Sequence, residues 1–281
     1  MSQIRSRFID VDGIRTHYLE AGEGPVVVLL HSGEFGGAAE ISWEFTLPAL
    51  AETYRVVAPD WLGFGRTDKV FDFADGRARV YRHMRRFLEV MAIEEADFIG
   101  NSMGGSNLAR IAASPPTIFP IRSLVLCSGG GFTPETEERK TLLAYDGTPE
   151  AMTALLNAML HDSKWGDDAD YVARRQEFAT MPGAWECAAA ARLKSPAAVA
   201  KGSGFGGADT TKYENIAVPT LVVAGAADRL RNPGYAEELG AKIPDCEIHV
   251  LDACGHCPNI ERAVDFNRLA LGFLDRVHKK K

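Results

Sequence analysis

The chain has 281 residues, 46% of them hydrophobic and 25% charged, with a net charge of −7 and a pI of about 5.6. This is the composition of an ordinary globular protein, long enough for one large domain or a domain carrying an insertion. The acidic balance excludes nucleic acid and an anionic membrane as partners, since both call for a basic surface, and leaves a small-molecule substrate.

The first residues, Met1 to Arg7, precede no apolar stretch of the kind a signal peptide needs. No apolar run approaches membrane-spanning length, and five cysteines at irregular spacing make no disulfide framework. The expected setting is the reducing cytoplasm.

Alternating apolar residues from Phe8 to Val11 and from Ile14 to Glu20 flank Asp12-Gly13 and predict a hairpin. Val26 to His31 is a short continuous apolar run, the pattern of a strand buried on both faces of a parallel sheet. It opens into the glycine-rich loop His31 to Gly37, with a helix-like segment near Trp43 to Leu50 beyond it. Tyr54 to Pro59 predicts the next strand. Val80, Met84, Phe87, Leu88 and Met91 keep helical spacing, and the basic run Arg77 to Arg86 is the solvated face of that helix.

Ala96 to Ile99 leads into Gly100-Asn101-Ser102-Met103-Gly104-Gly105, and a helix-compatible run follows. Strand, Gly-x-Ser-x-Gly and helix in that order form a nucleophile elbow. The serine must stand clear of the sheet on a strained turn, and a side chain at either flanking glycine would collide with the strand or the helix. Ile121 to Cys127, Thr220 to Gly225 and Glu247 to Leu251 are further buried-type strands. Between the last two a helix is expected, capped by Asn232 with Pro233 at its first position, and Glu261 to Val277 closes the chain as a helix.

Apolar strands alternating with helices predict an α/β fold with a mostly parallel, doubly wound sheet. Residues 132–212 break the pattern: they are too long for a crossover and read as helical pieces at Pro149 to Leu160, Asp168 to Thr180 and Trp185 to Leu193. The expected organisation is a core of residues 1–131 and 213–281 with a helical lid, 132–212, whose tail Gly202 to Gly207 is a flexible return or a specific turn against ligand.

A serine hydroxyl is inert without a base. Asp228 follows the strand that ends at Gly225, and His256 follows the strand that ends at Leu251. Both lie just past strand C-termini, where open α/β sheets place ligands, and the order Ser102, Asp228, His256 is the one that accompanies this elbow. Each alone reads as a turn aspartate or a loop histidine. Together they make a nucleophile, a base and an orienting acid. The oxyanion hole is expected from the backbone N–H of Met103 and one from the His31 loop, with Gly33 first choice and Ser32 or Glu34 possible. Cys254-Gly-His-Cys257 also has the form of a redox or zinc motif. The first needs most of a domain after it and the second needs another ligand pair, and the sequence supplies neither. No metal and no cofactor are expected.

On these residues the chain resembles the α/β-hydrolase superfamily over its whole length. The elbow, the His31 loop, Ala58-Pro59-Asp60 through Gly63-Phe64-Gly65, Gly225-x-x-Asp228-Arg229, and Gly255-His256 with Glu261 and Phe266 to Leu269 carry the likeness. Within it the chain is similar to the meta-cleavage-product hydrolases, serine enzymes that cleave a C–C bond in 2-hydroxy-6-oxohexa-2,4-dienoates during aromatic catabolism. The resemblance implies a homodimer or higher homo-oligomer, a lid arginine on the dienoate carboxylate, matched by Arg175 with Arg174 beside it, and Asn101 at the same substrate end. Ser32, Glu34 and Cys257 mark departures that line the expected pocket: the family's loop runs His-Gly-Gly-Gly-Pro-Gly, and its residue after the histidine is commonly tryptophan. An esterase or lactonase would use the same machinery on an acyl C–O bond.

Overall fold

The structure is a computed structural model, which describes residues 3–190 and 206–279. Eight strands form one sheet: β1 (Arg5–Val11), β2 (Ile14–Ala21), β3 (Val26–Leu30), β4 (Arg55–Pro59), β5 (Ala96–Asn101), β6 (Ile121–Cys127), β7 (Thr220–Gly225) and β8 (Cys246–Leu251). Their order is β1-β2-β4-β3-β5-β6-β7-β8. The hairpin β1–β2 joins β4 antiparallel, and every pairing from β4 through β3 to β8 is parallel.

The continuous apolar strands are explained by helices on both faces. Val28, Leu30, Phe98, Leu124, Leu126 and Val222 face one side. There they meet α3 (Gly76–Val90) through Met84, Phe87 and Leu88, and α4 (Met103–Ala112) through Leu108 and Ile111. Val27, Leu29, Ile99, Val125, Leu221 and Val223 face the other side, against Phe266, Phe273 and Leu274 near the C-terminus. Alternation within each strand thus feeds two separate apolar layers.

Between β6 and β7 lie α5 (Glu137–Leu143), α6 (Pro149–Met159), α7 (Lys164–Asp167), α8 (Ala169–Ala179) and α9 (Ala184–Ala190). Their sequence supplies its own start signals: Thr136, Thr148 and Asp168 each accept a hydrogen bond from a first-turn N–H. Met152, Leu155, Leu156, Tyr171 and Phe178 form a third apolar layer with Phe35, Leu230 and Cys257. Those three belong to the loops after β3, β7 and β8, so this helical layer covers the C-terminal ends of the strands.

Several expectations are corrected. The helix expected near Trp43 to Leu50 is the short α2 (Thr46–Leu50), with a separate one-turn helix, α1 (Ala39–Ser42), before it. The helix after β7, α10 (Tyr235–Gly240), starts at Gly234 in left-handed geometry (φ 78°) and not at Asn232, whose carbonyl accepts a turn bond from Tyr235 N–H. The terminal helix is broken at Arg262 into α11 (Pro258–Glu261) and α12 (Ala263–Lys279). β8 is only half-buried, because it is one of the sheet's two edge strands and has a neighbour on one side alone. Most of the Gly202 to Gly207 tail, and the end of the helix expected through Leu193, lie outside the described residues.

Glycines at the elbow permit backbone contact. A Cβ on Gly104 would strike the carbonyl of Leu30 in β3, and one on Gly100 would lie 2.5 Å from the carbonyl carbon of Gly104. Backbone cannot step aside as a side chain tip can. Gly104→Ala is expected to destabilise the fold by about 2 kcal/mol or more, measured as a lower midpoint in urea unfolding. An unchanged midpoint would show that α4 can shift off β3.

Candidate active site

Ser102 sits between β5 and α4 at φ 51° and ψ −109°, outside the comfortable regions for a residue with a Cβ. Its N–H donates to the Cys127 carbonyl at 2.8 Å, and its carbonyl accepts from Ser106 N–H at 2.8 Å. These bonds over-determine the strained turn. The result is a hydroxyl clear of the sheet.

The base and the acid arrive from two other loops. Ser102 Oγ lies 2.8 Å from His256 Nε2, and His256 Nδ1 lies 2.7 Å from Asp228 Oδ2. With Nδ1–H donating to the carboxylate, Nε2 is left to accept the serine proton, which is the tautomer a general base needs. Asp228 also accepts from Leu230 N–H at 2.9 Å. Burial pushes its carboxyl up, but His256, Leu230 N–H and Arg231 together hold it below the ordinary range, so it stays a carboxylate.

The His256 loop is pinned by a residue whose task the sequence did not announce. Glu261 accepts hydrogen bonds from Gly255 N–H at 3.0 Å, Cys257 N–H at 3.3 Å and His161 N–H at 2.6 Å. His256 N–H donates to the Met159 carbonyl at 2.9 Å. The loop is therefore tied to the end of α6 as well as to the sheet. Burial raises the Glu261 carboxyl against these backbone donors. The only sequence signal was its fixed place a few residues past the histidine.

The loop after β3 is equally constrained. His31 is fully buried; its Nδ1–H donates to the Ser32 carbonyl at 2.6 Å, and its Nε2 accepts from Trp61 N–H at 3.0 Å. Burial lowers its pKa, consistent with a neutral ring of one tautomer. Asp60 anchors the same loop system through Ala39 N–H at 2.7 Å, Arg66 N–H at 2.8 Å and His17 Nδ1 at 2.7 Å. The loop brings Gly33 against Met103: a Cβ on Gly33 would lie 2.5 Å from the methionine sulfur. Met103 opens α4, so its N–H has no intrahelical acceptor. The two candidate oxyanion donors are thus neighbours beside Ser102.

The expected substrate contacts divide. Arg175 is fully buried in α8, whereas Arg174 points outward and pairs with Glu44 at 2.6 Å. Arg175 is not free: its Nη1 donates to Glu34 Oε1 at 2.5 Å and its Nη2 to the Tyr171 hydroxyl at 3.1 Å. Ser32 is buried, with Oγ 3.4 Å from Ser42 Oγ. Cys257 is buried within the helical layer, close enough to Glu34 and Arg175 to feel both charges. Asn101 is fully buried beside Ser102, and its amide NH2 donates to the carbonyls of Cys127 at 3.3 Å and His256 at 3.4 Å. It ties the histidine loop to β6.

A strained serine, an imidazole and a buried carboxylate in hydrogen-bonded series, on the C-terminal edge of a doubly wound sheet, define a serine hydrolase of the α/β type. The comparisons agree. The α/β-hydrolase family model matches residues 27–269, and the chain belongs to that family. It is 33% identical over 272 residues to the 2-hydroxy-6-oxo-6-(2'-aminophenyl)hexa-2,4-dienoic acid hydrolase of Metapseudomonas resinovorans, covering 96% of this chain and 91% of that one. Among solved structures it is similar to CarC, a serine hydrolase involved in carbazole degradation, with a TM-score of 0.83, 30% identity and 97% and 99% of the two chains covered. It is also similar to the meta-cleavage product hydrolase CumD, with a TM-score of 0.85, 28% identity and coverage of 96% and 98%.

Replacing Asp228 by asparagine leaves a similar shape but removes the charge that fixes the tautomer and supports the imidazolium. Asp228→Asn is expected to lower kcat by about 10³–10⁴-fold with folding retained, as read by steady-state kinetics and circular dichroism. A loss below tenfold would mean another group orients His256.

Proposed function

We propose that this protein hydrolyses a C–C bond in a 2-hydroxy-6-oxohexa-2,4-dienoate-type ring-fission product. The observation that carries the reading is the continuous hydrogen-bonded series Ser102–His256–Asp228 in a chain similar over nearly its whole length to a dienoic acid hydrolase and a meta-cleavage product hydrolase. The substrate is a small molecule and the setting the cytoplasm. In support, all five cysteines are free thiols and no helix among the described residues is long and apolar enough to cross a membrane. The homo-oligomer implied by the resemblance belongs to the same reading.

The chemistry follows from the groups in place. His256 first moves a proton so that the dienol becomes the 2-oxo form, with C5 saturated. Ser102 then loses its proton to His256 Nε2 while Oγ attacks the C6 carbonyl. The oxyanion that develops lies against Met103 N–H and Gly33 N–H. As the tetrahedral centre collapses, the C5–C6 bond breaks. Its electron pair flows through the C3–C4 double bond onto the C2 oxygen, so the leaving group is a dienolate and not a bare carbanion. His256 gives its proton to the departing dienolate, and the imidazole, neutral again, activates the water that hydrolyses the acyl-serine to a carboxylic acid. Asp228 stabilises the imidazole each time it carries the proton.

Purified protein mixed with a yellow 2-hydroxy-6-oxo-6-phenylhexa-2,4-dienoate is expected to bleach its visible absorbance, faster per active site than it hydrolyses p-nitrophenyl acetate. Ser102→Ala should lower the bleaching rate by about 10⁴-fold or more with the fold intact. Ester hydrolysis without bleaching would assign the esterase reading instead, and full activity in Ser102→Ala would remove the nucleophile from the mechanism.

A further inference from the structure

The acid end of such a substrate meets a competitor that the protein itself supplies. Arg175 carries the buried positive charge expected to receive a substrate carboxylate, yet Glu34 already occupies its Nη1 at 2.5 Å and Tyr171 its Nη2 at 3.1 Å. Arg175 Nε is buried and has no hydrogen-bond partner among the described residues. Glu34 follows Gly33 directly, and Cys257, next to His256, feels both charges. The pair therefore belongs to the catalytic neighbourhood and is electrically neutral before substrate arrives.

A second carboxylate entering beside Nε puts two negative charges on one guanidinium, in a place that excludes water. Coulomb attraction compensates one of them, and the other stays buried and unpaired. Two carboxyl groups in that position hold a proton between them, because like charges at close range cannot both remain ionised. We propose, resting on the C–C reading above, that Glu34 makes binding of the substrate's carboxylate proton-coupled: Arg175 holds the two carboxyl groups with one shared proton, so Glu34 sets the charge and the pH dependence of substrate recognition.

The sign follows. In the free protein Glu34 is a carboxylate: burial opposes this, but Arg175 and the Ser32 hydroxyl hold it below the ordinary range. Binding an acid therefore takes up a proton, and affinity falls as pH rises, by about tenfold per pH unit. The other groups around the pair do not mimic this near neutrality. Burial raises the Tyr171 hydroxyl and the Cys257 thiol, and lowers His31, so all three stay uncharged. Arg174 is paired with Glu44, and burial raises the Glu261 carboxyl against its backbone N–H partners, a contribution that the uncharged amide probe shares and so controls for. His256, beside Ser102, is the remaining titratable group and needs its own control.

The probe is hexa-2,4-dienoate, which carries the acid end without the enol or the scissile bond, set against its uncharged amide, hexa-2,4-dienamide. Affinities are measured by calorimetry from pH 6.5 to 8.5 on the full chain. The acid is expected to weaken about tenfold per pH unit and the amide to hold constant. The heat of acid binding should differ between phosphate and Tris in proportion to one proton taken up. His256→Asn should keep the slope. Glu34→Gln should abolish it and bind the acid at pH 8.5 at least tenfold more tightly than the native protein. Flat acid affinity, equal slopes for acid and amide, a slope that survives Glu34→Gln, or one that vanishes in His256→Asn would each overturn the proposal. The native protein's own proton uptake decides the matter should Glu34→Gln fail to fold. Failure to bleach the ring-fission product would remove the C–C reading while leaving these titrations to judge Glu34 by themselves.

Discussion

Everything in this molecule depends on how closely backbones approach around Ser102. β5, α4 and β3 meet at Gly100 and Gly104, with no room for a Cβ on either glycine. Gly105 and Gly129 press together behind them. Only this packing brings the end of the sheet and the start of a helix near enough to hold a serine at φ 51°. The strain is local, but its support is spread over three strands and a helix, which the two apolar layers lock in place. Function is thus paid for by the core.

The same device recurs at the other end of the triad. Gly225 closes β7 where a Cβ would strike the carbonyls of Cys254 and Gly255. The aspartate after β7 and the histidine after β8 come within hydrogen-bond range because two loops can lie in direct backbone contact. Glu261, Asn101 and the Met159 carbonyl then fix the histidine loop from three sides. A base oriented in this way has no reorganisation to make when the serine proton moves. The cover made by α5 to α9 is joined to this arrangement through α6 and the His161 N–H, so part of the layer is continuous with the catalytic frame.

Charge is handled differently on the two sides of the nucleophile. Asp228 faces a histidine that becomes cationic only during reaction. Glu34 faces Arg175, which is cationic always. The first pair stores a response to be used in the transition state, and the second is already discharged in the resting protein.

The sequence by itself determined the doubly wound sheet, the elbow, the order of serine, aspartate and histidine, and a helical insertion. Each of these is written in local pattern: two-faced apolar strands, a glycine on either side of Ser102, and loops just past strand ends. It misplaced the start of α10 at Asn232, because a left-handed Gly234 and the Asn232 carbonyl turn outweighed the side-chain cap suggested by Asn-Pro. It said nothing of Asn101 and Glu261 as ties on the histidine loop. Only the tertiary structure decided those roles, and the pairing of Glu34 with Arg175 across 141 positions of chain. The physical reason is that a hydrogen bond or ion pair belongs to two groups at once. Residue type records what a side chain can offer, and folding alone determines which distant partner takes it.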